Sequence, residues 1–240
     1  MSFHIVADSC CELTADMKKR GNIEIAPLTL EVGGESILDD ETFDQKYFLK
    51  RVAECPECPK SACPSPDYFR KSFLNGAERC YAVTLSAQLS GSYNSAVLGA
   101  NLAQEENEDL KIHVFNSRSA SIGETLIVKK IVECEEAGMS FERVVETVEL
   151  YISTQHTYFV LENLETLRKN GRLSKTKALA GKFKNVVWSQ TATNSFPAFL
   201  NSSVAIKLII GHIIAIIIME IASVITIGRS CGVTMQKANL

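Results

Sequence analysis

The stretch His4-Ile5-Val6-Ala7-Asp8-Ser9 decides how this chain is read. The run through Ala7 is short, apolar and β-branched, which reads as a buried strand. Asp8 and Ser9 stand at its carboxyl end, where open α/β sheets place their ligands. Outward from it the pattern repeats. Leu13 to Lys19 predicts a helix ending near Gly21, and Ile23 to Leu30 a second strand whose pairing Pro27 limits. Gly33-Gly34 is a turn, and Phe43 to Ala53 has helical spacing. Ser61-Ala62-Cys63-Pro64-Ser65-Pro66-Asp67 reads as a loop launching a helix, with Ser65 as N-cap and Pro66 at the first position. Strands are expected at Cys80–Leu85, Lys111–Phe115 and 157–161. Helices are expected at Tyr93–Ala103, Ala120–Glu136, Ser140–Thr154 and, briefly, at Leu164–Leu167. This alternation predicts an α/β fold: a mainly parallel sheet flanked by helices, over residues 1–155. A second, smaller and incomplete α/β domain is expected over 156–240.

Three strand ends finish in small polar residues: Asp8-Ser9, Leu85-Ser86 and Asn116-Ser117. The turn from Ser86 to Tyr93 is the richest, with Ser86, Ser90, Ser92 and Gly91 just before a helix start. Unpaired N–H groups there suit an anion, although an ordinary serine N-cap explains the same letters. Ser61 and Ser65 form a second hydroxyl cluster before a helix, and the two could converge on one carboxylate. Arg172 could add a cation, or be a solvated turn residue.

Catalysis finds little support. No G-x-S-x-G elbow surrounds Ser90, and neither a dinucleotide fingerprint nor a P-loop is present. His4 and His113 fall within predicted strands, and nothing places His156 beside a serine. A site rich in hydroxyls but poor in bases binds rather than reacts. The competing reading is a serine-dependent ester hydrolase using Ser86, Ser90 or Ser92. Cys55-Pro56-Glu57-Cys58 is one C-x-x-C with Cys63 nearby, but a zinc site wants a fourth ligand, so a loop with reduced thiols is expected. No metal, cofactor or catalytic residue is expected. The net charge of −3 without a basic run gives no reason to expect nucleic acid. The first residues lack the charged and apolar regions of a secretory signal, so a cytoplasmic protein is expected.

Several segments in order resemble the DegV family. Ile5-Val6-Ala7-Asp8-Ser9-Cys10-Cys11-Glu12-Leu13 is similar to its opening, and Ala26-Pro27-Leu28-Thr29-Leu30 and Asp39-Asp40 to its next signatures. Ser61 to Pro66 resembles its Thr-Ser-Gln-Pro-Ser-Pro loop, and Leu89-Ser90-Gly91-Ser92-Tyr93 its Leu-Ser-Gly-Thr-Tyr segment. Asn116 to Gly123 and Leu164 to Arg172 resemble two later elements. The resemblance implies a two-domain protein holding one long-chain fatty acid in an apolar tunnel. It implies a carboxylate held at Ser61, Ser90 and Arg172, with Ser65, Gly91 and Ser92 supporting the loops. It also implies a partner, a fatty-acid kinase subunit that makes the acyl phosphate for phospholipid synthesis, and only transient membrane contact. Ala62-Cys63 departs from the family's Ser-Gln, Thr125 stands where a second Gly is common, and no counterpart of a late His-x-Gly-x-Gly segment is present.

The resemblance fades after about residue 181, where the composition also changes. Residues 182–240 carry six charged side chains, Lys182, Lys184, Lys207, Glu220, Arg229 and Lys237, of which one is acidic. Between Val204 and Gly228 there are eleven isoleucines, and the charge-free run is only 12 residues, short for a membrane span. The run reads as a buried helix or strand pair, as a spanning helix, or as the product of a shifted reading frame, the last being favoured.

Overall fold

The computed structural model of the chain describes residues 2–161 together with 187–189, 204–210 and 213–219. Strand β1 (Phe3–Asp8) is buried from His4 onward. It pairs in parallel with β2 (Ile23–Ala26) on one side and β6 (Arg79–Thr84) on the other. Strand β7 (Lys111–Asn116) completes the sheet, in the order β2-β1-β6-β7. The chain moves one way from β1 to β2 and returns to the other side at β6. The order therefore reverses between β1 and β6, and a crevice opens beyond their carboxyl ends.

Both faces of this sheet are covered, which is why its central strands are nearly continuous apolar runs. Side chains alternate between the faces. Val6, Cys80, Ala82 and Val114 pack under α3 (Pro66–Phe73) and α4 (Ser92–Glu106), where Phe69, Phe73, Ala96 and Ala100 meet them. Ile5, Ala7, Tyr81, Val83 and Phe115 pack on the opposite face. There they meet Met17 of α1 (Ala15–Lys18), Ile127 and Ile131 of α5 (Ile122–Glu136), and Val144 and Val148 of α6 (Phe141–Thr154). Gly138, with φ +72°, breaks the last two helices apart, and Ser140 caps α6 by accepting the Arg143 N–H.

The expected strand Ile23–Leu30 is two strands in two sheets. Pro27 has no N–H to continue the ladder, and the next donor, the Leu28 N–H, goes to Ser9 Oγ at 3.1 Å. The chain then enters β3 (Thr29–Val32), which pairs antiparallel with β4 (Glu35–Leu38) and β5 (Lys60–Ala62). The β3–β4 turn holds Gly33 and Gly34 at φ +57° and +79°, a left-handed pair that glycine adopts without strain. Ser61, expected in a loop, thus sits on an edge strand opposite Leu30. Between β4 and β5 lies α2 (Gln45–Glu54), capped by Asp44. The expected helix Leu13–Lys19 is shorter, because Thr14 is its N-cap and accepts the Met17 N–H.

Beyond α6 the described segments are strands: β8 (Tyr158–Leu161), β9 (Val187–Ser189), β10 (Val204–Ile210) and β11 (Ile213–Met219). They pair antiparallel in the order β10-β11-β8-β9, so the isoleucine-rich run contains a strand pair. Among the described residues no helix is long and apolar enough to cross a membrane. The expected helix at Leu164–Leu167, and Arg172, lie outside the described residues.

Candidate functional site

At the reversal point, β1 and β6 deliver Asp8 and the loop Leu85–Ser92 to the same place. Asp8 is wholly buried between the starts of α4 and α5. Its Oδ2 accepts the Leu85 N–H at 2.9 Å and its Oδ1 the Cys10 N–H at 3.1 Å. The side chains of Glu124 and Ser92 lie beside its carboxylate. Burial pushes the Asp8 carboxyl up to about 6, against the pull of the backbone N–H groups and of its polar neighbours.

Glu124, in the first turn of α5, is equally buried. Its Oε1 accepts the Ser121 N–H at 3.0 Å. Burial first, and the neighbouring Asp8 second, raise its carboxyl well above the ordinary range. Both effects favour the protonated form of Glu124, whose Oε2 is buried without a hydrogen-bond partner. The loop before α5 is held in an unusual shape: Arg118 and Ser121 have φ +51° and +59°, rare for side chains other than glycine. That conformation turns the Ser121 N–H toward Glu124.

The expected hydroxyl residues divide by role. Ser90 is half-buried, and its Oγ lies 3.1 Å from Ser92 Oγ and accepts the Ser92 N–H at 3.2 Å. Ser92 is wholly buried, so it stands behind Ser90 rather than beside it at the surface. Gly91 precedes α4 without a side-chain cap, leaving the early N–H groups of the helix facing outward. A Cβ on Gly91 would come within 3.3 Å of Cys63 Sγ, so the loop after β5 rests against the Ser90 loop. The same loop is pinned by Ser95 Oγ, which donates to the Pro64 carbonyl at 2.6 Å. Ser65 is committed to capping α3: its Oγ accepts the Tyr68 N–H at 3.1 Å. Ser61 is exposed on β5, two residues before Cys63. The two hydroxyl loops therefore touch, through Cys63 and Gly91, while Arg172 is outside the described residues.

Ser9, at the end of β1, is a tie rather than a free donor. Its Oγ donates to Asp39 Oδ2 at 2.7 Å and accepts the Leu28 N–H. His4 and His113 contact Glu24 and Glu149, each at 3.2 Å. His4 lies near the opposite end of β1 from Asp8, about 13 Å away at the usual strand rise. Donor atoms of Asp8, Cys10 and Glu124 lie within 4.8 Å of one another. That group is poor in free ligands, since each Asp8 oxygen already accepts a backbone N–H and burial drives the Cys10 thiol well up. The Asp8–Glu124 pair escaped the sequence reading. Asp8 was visible as a strand-end acid, but Glu124 looks like any acid in a first helical turn.

Comparison with known proteins bears on this geometry. A DegV domain-containing protein of Streptococcus pneumoniae is 38% identical over 177 residues, 73% of this chain and 63% of that protein. The chain thus spans less than two thirds of the length of that relative. A DegV family protein of Ruminococcus gnavus, solved with vaccenic acid, is 55% identical with a TM-score of 0.71, covering 73% of this chain and 63% of the other. The Streptococcus pneumoniae Fatty Acid Kinase (Fak) B3 protein loaded with linoleic acid is 34% identical with a TM-score of 0.71, covering 80% and 70%. The family model described as "Uncharacterised protein, DegV family" matches residues 2–188, and the chain belongs to the DegV family.

Proposed function

We propose that this chain binds a long-chain fatty acid by its carboxylate and presents it to a fatty-acid kinase subunit, acting as a carrier in the cytoplasm rather than as an enzyme. The observation that carries this reading is the half-buried Ser90 hydroxyl at the carboxyl end of the sheet, beside the start of α4 and in a loop that touches the Ser61 loop. Ser90 and Ser61 donate to the head group, and Arg172 supplies the countercharge. Ser65, Gly91 and Ser92 shape the loops around them. Relatives solved with vaccenic and linoleic acids support the ligand class, and the kinase name of one supports the partner.

The test is a fatty-acid titration with the wild type, Ser61→Ala and Ser90→Ala. A carboxylate that loses one hydroxyl donor is weakened by about 1.5–3 kcal/mol, roughly 10- to 150-fold in Kd. Unchanged affinity in Ser90→Ala would remove Ser90 from the site. Hydrolysis of a model ester that vanished in the same variant would replace binding by serine-dependent catalysis.

A further inference from the structure

The loop that follows β7 carries a cation that the head-group serines leave unused. Ser117 and Ser119 are buried, while Arg118 between them is exposed. Arg118 stands at φ +51°, a left-handed conformation uncommon for a residue with a side chain. The bonds around it hold that conformation. Ser117 Oγ accepts the Ser119 N–H at 3.0 Å and donates to the Ser119 carbonyl at 3.1 Å. Asn116 Oδ1 accepts the Arg118 N–H at 3.2 Å, and Ser119 Oγ accepts from the Thr157 hydroxyl at 2.8 Å. Backbone strain fixed by this many neighbours is characteristic of functional sites.

The same residues join this loop to the Ser90 loop. Asn116 Oδ1 also accepts the Ala87 N–H at 3.1 Å, and the Ser119 carbonyl accepts the Ser86 N–H at 2.8 Å. The Ser86 carbonyl in turn accepts the Ser90 N–H at 3.1 Å. One hydrogen-bonded unit therefore sets both side chains, at two depths of the crevice. Ser90 is half-buried, and Arg118 is exposed at the rim.

Charge singles out Arg118 further. In the loops that follow β1, β2, β6 and β7 it is the one cation, against Glu12 and the strand-end Asp8. Arg20, Arg51, Arg70, Arg79 and Arg143 are each paired with an acid. Arg118 is the one arginine among the described residues whose guanidinium has no such partner there. Its planar fork of N–H donors fits the oxygens of a phosphoryl group two at a time. A carboxylate has only two oxygens, which the half-buried hydroxyls occupy. A phosphoryl head group carries more oxygens and more charge, and these extend outward to the rim.

Resting on the reading of Ser90 as a head-group donor, we propose that the crevice also takes single-chain lipids that end in a phosphoryl group, and that Arg118 is the residue that distinguishes such a head group from a carboxylate.

The experiment is displacement of a fluorescent fatty acid from the delipidated full chain at pH 8, with tetradecanoate and tetradecyl phosphate as competitors. The wild type is expected to bind both, and Ser90→Ala to weaken both. Arg118→Gln should weaken tetradecyl phosphate by roughly 5- to 50-fold and tetradecanoate by less than about threefold. Arg118→Lys keeps the charge without the fork and should fall between the two. Added salt should narrow the gap between wild type and Arg118→Gln for the phosphate alone, because the guanidinium is exposed. Should Arg118→Gln melt early, Arg118→Gly removes the same guanidinium and adopts φ +51° without strain. Equal losses for both competitors, or unchanged affinity of the variants for tetradecyl phosphate, would overturn this inference while leaving the fatty-acid reading intact. A wild type that binds tetradecanoate but not tetradecyl phosphate would do the same. A wild type that binds neither competitor nor the fluorescent fatty acid would overturn both.

Discussion

Glu124 is a carboxyl that the fold keeps neutral, and this has a consequence for stability. Glutamine reproduces its shape and keeps an acceptor for the Ser121 N–H, so Glu124→Gln should cost less than about 1 kcal/mol near neutrality, whereas Glu124→Ala opens a void and leaves that N–H without its acceptor, at about 2–4 kcal/mol. The pH dependence has a definite sign. The folded carboxyl holds its proton well above the ordinary value of 4.5, while the unfolded chain releases it there. Wild-type folding thus loses stability as pH rises beyond that value, and the glutamine variant does not. Melting temperatures of the two at pH 5 and pH 8 are expected to shift toward the variant at the higher pH. An unchanged difference would mean that Glu124 is ionised in the folded state. The Ser65 cap of α3 was legible from the sequence, since Ser-Pro before a helix has only a few uses, whereas Ser61, expected in a loop, is on an edge strand. Glu124 was not legible, because burial and its 116-residue separation from Asp8 are tertiary facts.

At the scale of elements, the site depends on how closely α3 and α4 approach. A Cβ at Gly99 would lie 2.6 Å from the Pro66 carbonyl oxygen and 2.7 Å from Phe69 Cβ. Neither atom can swing aside as a long side chain would. Gly99→Ala is therefore expected to destabilise the protein by about 1–3 kcal/mol and to push the Ser61–Pro66 loop away from Gly91. Chemical denaturation measures the first effect and fatty-acid affinity the second, and a variant with both unchanged would show that the helices have slack. The strand and helix types were read well from hydrophobic period, because parallel strands buried on both faces give short apolar runs. The break at Pro27-Leu28 was missed: local pattern does not show that Ser9 and Asp39 draw the chain into a second sheet.

At the scale of the molecule, α6 ends at Thr154 and the antiparallel strands begin at Tyr158. We propose two units divided at residues 155/156, with the tunnel for the acyl chain needing the second to close it. Residues 182–240 differ in composition from the rest and lie almost wholly beyond the family match, which ends at residue 188. Replacing them by the corresponding region of a DegV relative is expected to raise both solubility and fatty-acid affinity. Equal values for the two proteins would show that residues 182–240 complete the fold and would dismiss a shifted reading frame. Composition made this change visible from the sequence alone. The strand pairing of the isoleucine-rich run was not decided there, since short apolar runs fit helix and strand alike.

The central claim is that the crevice beyond β1 and β6 holds a fatty acid. Native mass spectrometry of the chain purified from a bacterial host tests it most directly, followed by denaturing extraction and identification of the released molecule. The expected result is a mass increment matching one fatty acid per chain, lost or much reduced in Ser90→Ala. Repeated preparations that carry no lipid, and that take none up from an added fatty acid, would contradict it.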